Sequence, residues 1–240
     1  MNVIILTTGI SGSSVITGFF TKSGFWAGDD TVFKDNLTGK YETFENKKLV
    51  ELNDSLFKET GLEFEGKARY EANARDKLND AYENIDTSKY KKFIAECDAH
   101  SPWIWKDPRL FLTIGFWKNC LDRSNTKVVV IHRNSYELWK SLTYKRIIYS
   151  YKYLRNSEDR TRQELLDYLE ANNFSYLSLE YDQFTKDPGK SISRLNAFME
   201  MEFKKDAWDE IYKKPAAFSR YKRAILAYLI YIKNYNSRIK

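Results

Sequence analysis

The stretch from Val3 to Gly18 constrains this chain more than any other. Val3-Ile4-Ile5-Leu6 is a short apolar run, mostly β-branched. It stops at Thr7-Thr8-Gly9-Ile10-Ser11-Gly12-Ser13-Ser14, and a helical pattern begins at once. Strand, small-residue turn and helix in immediate succession aim free backbone N–H groups and the positive helix end at one point, which is a place for an anion. Two well-known versions of that arrangement are absent. A P-loop NTPase needs Lys directly after the last Gly, where Ser13 stands, and the spaced Gly triplet of dinucleotide folds is missing. The loop therefore predicts an anion without naming it.

The chain has 240 residues, 42% hydrophobic and 30% charged, which describes a globule with a substantial core. The net charge of +6 favours anionic ligands, and 17 Tyr, 15 Phe and 6 Trp suit either a core or a ring-stacking site. Cys97 and Cys120 are far apart and have no metal spacing, so two free thiols and no metal are expected. No apolar run reaches the ~18 residues of a membrane span, and the first run is short, lacks a basic flank and is needed as a strand. A cytoplasmic protein without a membrane partner is the expectation.

In chain order, a helix is predicted from about Ser13 to Ser23, with Gly24 as its stop. A polar loop follows through Asn36, Thr38 and Gly39, then a helix from Glu45 to about Lys58. Ala68 to Ile85 and Thr87 to Cys97 read as amphipathic helices, forming a helical insertion at about 61–100 within one domain spanning 1–240. Trp103-Ile104-Trp105-Lys106 is a strand ended by Asp107-Pro108, with a helix from there to about Leu121. Lys127 to His132 is a buried, parallel strand. A long helix is predicted from Ser135 to about Leu154, another from Arg160 to Asn172, a strand from Phe174 to Leu179, and a helix from Asp187 to Met199. The basic tail beyond Pro215 has apolar helical spacing. The alternation gives an α/β fold, a three-layer parallel sheet with a P-loop-like turn and helical insertions. Ligands of such sheets bind beyond the carboxyl ends of the strands. That singles out Gly9 to Ser14, Lys106 to Arg109 and His132 to Ser135.

Taken together these segments resemble the bacterial-type sulfotransferases that use 3′-phosphoadenosine 5′-phosphosulfate (PAPS), on a P-loop-related fold. Ser11-Gly12-Ser13-Ser14 resembles the family's Ser-Gly-Thr-Ser loop. Gly28-Asp29-Asp30, Phe44-Glu45 and Leu52-Asn53-Asp54 resemble its substrate-side segment. Trp105-Lys106-Asp107-Pro108-Arg109 matches a family block, and Arg133 with Ser141-Leu142 has the spacing of its 3′-phosphate motif. Ser178-Leu179-Glu180-Tyr181 and Asp187-Pro188 are similar to its late segment.

The resemblance implies that PAPS is the donor and that a hydroxyl of a carbohydrate or small molecule is the acceptor, without metal and without nucleic acid as partner. Gly9, Ile10, Ser11, Gly12, Ser13, Ser14, Arg109, Arg133 and Ser141 would bind the donor. Glu45, the acid of the aromatic-Glu pair, would be the general base, with Glu42 and His100 as substitutes, and Lys106 would face the transferring group. Bland readings stand beside these. They make Glu45 an ordinary first-turn acid of a helix, Asp107 the ion-pair partner that locks Lys106 or Arg109, Arg133 a cap on the sheet, Ser141 a hydroxyl bonded to its own backbone, and His132 a packed side chain. Ile10 is a departure, because many relatives carry Arg or Lys there; Ser135 likewise replaces a common Pro. Two other functions remain open: a weakened nucleotide- or polyanion-binding protein of the same fold, and a P-loop kinase of a small substrate. Oligomeric state is not readable from the sequence.

Overall fold

The computed structural model describes residues 1–36, 39–62, 74–214 and 216–239. Strands β1 (Asn2–Thr7), β4 (Ile104–Lys106), β5 (Thr126–His132) and β6 (Tyr176–Glu180) form one parallel sheet in the order β4-β1-β5-β6. Their apolar, β-branched sequences are explained by burial on both faces. Ile4, Leu6, Trp105, Val128 and Val130 face one helical layer, made of α2 (Lys47–Glu59), α3 (Ala74–Asp80), α4 (Ser88–Asp98), α5 (Leu110–Trp117) and α7 (Tyr151–Ala171). Val3, Ile5, Ile104, Val129 and Ile131 face the other, made of α1 (Ser13–Lys22), α8 (Tyr181–Lys186), α9 (Pro188–Met199) and α10 (Lys205–Ile211). The result is the three-layer α/β arrangement read from the sequence.

The strand order creates the binding position. From β1 the chain moves to β4 on one side, then crosses back to β5 on the other. Helix α1 leaves β1 on one face, whereas α5 leaves β4 on the opposite face. The carboxyl ends of β1 and β4 therefore flank a switch point, where such sheets open a crevice.

Three segments differ from the sequence reading. The predicted loop before Glu45 is an antiparallel hairpin, β2 (Thr31–Asn36) with β3 (Gly39–Asn46), and the two residues between them lie outside the described residues. Helix α2 consequently starts after Glu45. Its cap is Asn46, whose side chain accepts from the Lys48 and Leu49 N–H groups. The helix expected from Ser135 to Leu154 is two helices, α6 (Ser135–Tyr144) and α7. Arg146 takes a left-handed φ of 64°, and Ser150 caps α7 through the Tyr153 N–H. Helix α7 then absorbs the segment expected as a separate helix from Arg160. Of the helix predicted over Ala68 to Ile85, residues 68–73 lie outside the described residues, and α3 forms its middle. The tail forms α11 (Ala217–Lys233), packed on α6 around Trp139 and Leu138.

Candidate active site

At the end of β1 the Thr7 hydroxyl donates to the Gly9 carbonyl (2.9 Å) and lies 2.5 Å from the buried Ser11 hydroxyl, which folds the chain into a tight turn. Gly12 then adopts φ +78° and begins α1. A Cβ at Gly12 would overlap the ring of Tyr181, so glycine is required both by conformation and by space. No side chain among the described residues caps α1; the Val15 and Ile16 N–H groups donate to the Gly12 carbonyl, whereas those of Ser13 and Ser14 lack intrahelical acceptors. They point to the crevice end of the sheet, with the positive end of the helix dipole behind them.

The loop carries no cation. Ile10 is 37% exposed. The charged group beside it is acidic: Glu158, from α7, accepts from the Thr8 hydroxyl at 3.1 Å, and its other oxygen lies 3.6 Å from where a Gly9 Cβ would stand. Burial pushes the Glu158 carboxyl above the ordinary carboxylate range, partly offset by Thr8 and Arg162. This contact was not foreseen. Glu158 is one acid in a highly charged helix, and nothing in its spacing marks it.

Lys106 lies next to Ile5 in the parallel register, so its side chain enters the α1 layer. It is only 2% exposed. Its Nζ is 2.5 Å from Glu45 Oε1 and 3.3 Å from the Ser14 hydroxyl. Burial lowers its pKa, and the Glu45 carboxylate opposes that shift. Glu45 reaches it from β3 rather than from a helix terminus, which corrects the predicted setting. Thr31 pairs with Asn46 but Phe33 with Glu42, so β3 bulges over Thr43–Glu45, and Phe44 is left-handed at φ 57°. A left-handed aromatic residue costs about 1–3 kcal/mol, and bulges of this kind re-aim side chains. The Phe44 ring is seated against α1 at Gly18, where a Cβ would come within 2.7 Å of it. Lys34, half exposed on β2, forms a second ion pair with Glu45 at 3.0 Å.

Asp107 is fully buried. It accepts from Asn53 Nδ2 (2.9 Å) and from Arg109 through both backbone and guanidinium, while Arg109 also pairs with Asp54 at 2.9 Å. Burial raises the Asp107 carboxyl, and Arg109 opposes this. Trp117 closes the network by donating to Asn53 Oδ1. The ion pair left open in the sequence thus takes Arg109, whereas Lys106 pairs with Glu45. The Asn53-Asp54 segment and Asp107 with Arg109 are parts of one hydrogen-bonded network beside the Lys106 pair.

Arg133 follows β5. Its guanidinium lies over the Tyr181 ring at 5.9 Å, and Nε is 3.5 Å from Asp182 Oδ1. That Nε is buried and makes no hydrogen bond to a described residue. The Tyr181 ring touches both Arg133 and the Gly12 position, joining two segments predicted to hold one ligand. Burial pushes its phenol up to about 12. Asn134 caps α6, which carries Ser141 in a half-buried position two turns on. His132 accepts from Arg162 (3.3 Å) and its pKa is lowered to about 4 by burial, then by Arg162 and Arg194. The two substitute bases lie elsewhere. His100 stacks on Trp26 before β4, at the end of the sheet opposite Lys106, and Glu42 accepts from Thr31 across the hairpin.

No family model matches the sequence. No curated protein matches it either. Solved structures do. The chain is similar to the sulfotransferase domain from the curacin biosynthetic pathway, with a TM-score of 0.54 at 14% identity over 89% of this chain and 78% of that one. It is also similar to the sulfotransferase domain from the Synechococcus PCC 7002 olefin synthase, with a TM-score of 0.50 at 18% identity and the same coverage. At these identities the likeness establishes the fold, that of sulfotransferase domains.

Proposed function

We propose that the protein is a sulfotransferase that uses PAPS to sulfate a hydroxyl of a carbohydrate or small molecule. The observation that carries this reading is the buried Glu45–Lys106 pair, set at the switch point and in hydrogen-bonding reach of Ser14 on the uncapped start of α1.

The side chains present fit a donor that is anionic at two ends. The segment Gly9 to Ser14 offers backbone N–H groups and hydroxyls, and Arg133 has a buried Nε without a hydrogen-bond acceptor. Gly9–Ser14 would hold the 5′-phosphosulfate, and Arg133 with Ser141 the 3′-phosphate. The donor, when bound, supplies an activated sulfuryl group. Glu45 takes the proton of the acceptor hydroxyl as that oxygen becomes the nucleophile. Lys106 keeps positive charge where the departing oxygen becomes negative, and its burial makes that charge more effective than it would be in water. Arg109 serves the site indirectly by fixing Asp107 and, with it, the strand end that carries Lys106.

A second reading, a nucleotide- or polyanion-binding protein without transfer activity, is favoured by Ile10 and by the Glu158 carboxyl beside Gly9. Thermal unfolding with adenosine 3′,5′-bisphosphate separates the possibilities. The transferase reading expects stabilisation without Mg²⁺ that Arg133→Ala abolishes, and PAPS turnover that Glu45→Gln lowers by ~10²-fold or more. Stabilisation by ATP–Mg²⁺ alone would instead identify a kinase. Bisphosphate binding with Glu45-independent turnover would remove Glu45 as the base.

A further inference from the structure

Charge is distributed unevenly along this chain. Residues 211–240 contain eight Lys and Arg and no Asp or Glu, while the other 210 residues hold 31 basic and 33 acidic side chains. The C-terminal segment therefore accounts for more than the whole net charge of +6. Most of it is α11, which lies on α6 through the buried Ala227 and through Tyr228 and Tyr231, both packed on Trp139. The Ser150 N–H donates to the Ile239 carbonyl and holds the end of the tail in place.

Another face of α11 has no such cover among the described residues. Phe218, Tyr221, Ile225, Leu229 and Ile232 follow i, i+3, i+7, i+11, i+14 spacing and form one stripe. Each is between 44% and 77% exposed. A continuous apolar stripe along a whole helix is costly in water and marks a contact surface.

We infer that α11 is an interfacial helix that docks this protein on an anionic phospholipid surface. Its stripe enters the boundary between headgroups and acyl chains, and its cations, with Lys222 and Lys233 exposed beside the stripe, meet the lipid charge. The charge pattern decides against pairing of α11 with the same helix of a second copy, because the two would bring together cations with no carboxylate between them. A nucleic acid would take the cations but leave Ile225, Leu229 and Ile232 in water. Among the described residues no helix is long and apolar enough to cross a membrane. Interfacial binding needs none, so the expectation of no membrane partner, which rested on the lack of a span, does not bear on it. The inference is independent of the transferase reading.

Flotation of the full chain with vesicles tests it. Binding is expected to equimolar phosphatidylglycerol and phosphatidylcholine and not to phosphatidylcholine alone. Ile225→Ser with Ile232→Ser should weaken it more than tenfold. Lys222→Glu with Lys233→Glu should do likewise, since each cation near such a surface contributes roughly fivefold. The melting temperatures of both variants should stay near that of the parent, as all four side chains are exposed. No binding to the anionic vesicles overturns the inference. So does binding that the Ile variants retain, which is charge adsorption without insertion. Self-association of the parent chain that the Ile variants abolish would assign the stripe to a second copy and also overturn it.

Discussion

Removing the carboxylate from the Glu45–Lys106 pair should cost more than any surface ion pair could. Glu45→Gln keeps the shape and deletes the charge. Lys106 is 2% exposed, and its remaining close polar partner is the Ser14 hydroxyl at 3.3 Å. Two unit charges ~4 Å apart attract by about 4 kcal/mol at the effective dielectric of a protein near its surface. Breaking a buried pair by removing one partner costs about 3–5 kcal/mol. Against a total stability of about 5–15 kcal/mol, that is a large fraction. Lys106→Met is expected to cost less, because Lys34 remains to pair with Glu45. In the double variant no charge is stranded, so its cost should fall below the sum of the singles by about 2 kcal/mol or more. Urea unfolding followed by tryptophan fluorescence measures the cycle. A pH signature accompanies it. Burial already lowers the Lys106 pKa, and losing Glu45 lowers it further. Above that folded pKa the unfolded chain binds the extra proton, so stability rises with pH and the Glu45→Gln deficit shrinks as pH rises from that folded pKa towards the ordinary lysine value of 10.5. Additive single effects, within about 0.5 kcal/mol and without pH dependence, would refute the coupling.

Two further outcomes follow from groups around the loop. Because Glu158 faces Gly9 and burial raises its carboxyl, bisphosphate should bind more tightly as pH falls through the Glu158 titration, and Glu158→Gln should flatten that dependence in calorimetric titrations. His132 is held neutral in the folded state, with its pKa lowered from 6.5 to about 4. It therefore contributes up to about 3 kcal/mol that is complete above pH 6.5 and lost as pH falls through 4, and His132→Gln should show a shallower loss of stability over that window in acid-unfolding curves.

The sheet was legible because its strands are buried on both faces. Val3 to Leu6 and Val128 to Ile131 can hardly be anything but parallel core strands, and the turn after β1 follows from its Gly and Ser content. The hairpin was not legible. Lys34-Asp35-Asn36 is polar, Phe33 and Tyr41 are exposed, and the pattern that would mark two strands is interrupted by the bulge. Glu45 entered the site through family resemblance alone, since no local rule places a left-handed phenylalanine before it. The break between α6 and α7 contains neither Gly nor Pro, so Arg146 supplies the turn without announcing it. Glu158 lay beyond reach for another reason. Its contact with the loop depends on how α7 crosses the sheet, which is a property of packing rather than of neighbouring residues.

Carrying Glu45 on a hairpin outside the main sheet separates two design problems. The sheet and α1 fix where an anion can lie, whereas the hairpin brings the acid and a rim of side chains from another part of the chain. Among the described residues, the base of the hairpin is fixed to the rest by Phe44 against Gly18, by Asn46 against Gly28 and by the Lys106 pair. Phe33, Tyr41 and Lys40 make no bond to the buried pair, so their side chains can change without moving it, whereas Lys34 is tied to Glu45. A fold arranged in this way can change the rim of its crevice at the tip of a short ribbon while the buried Glu45–Lys106 pair at the ribbon's base stays in place.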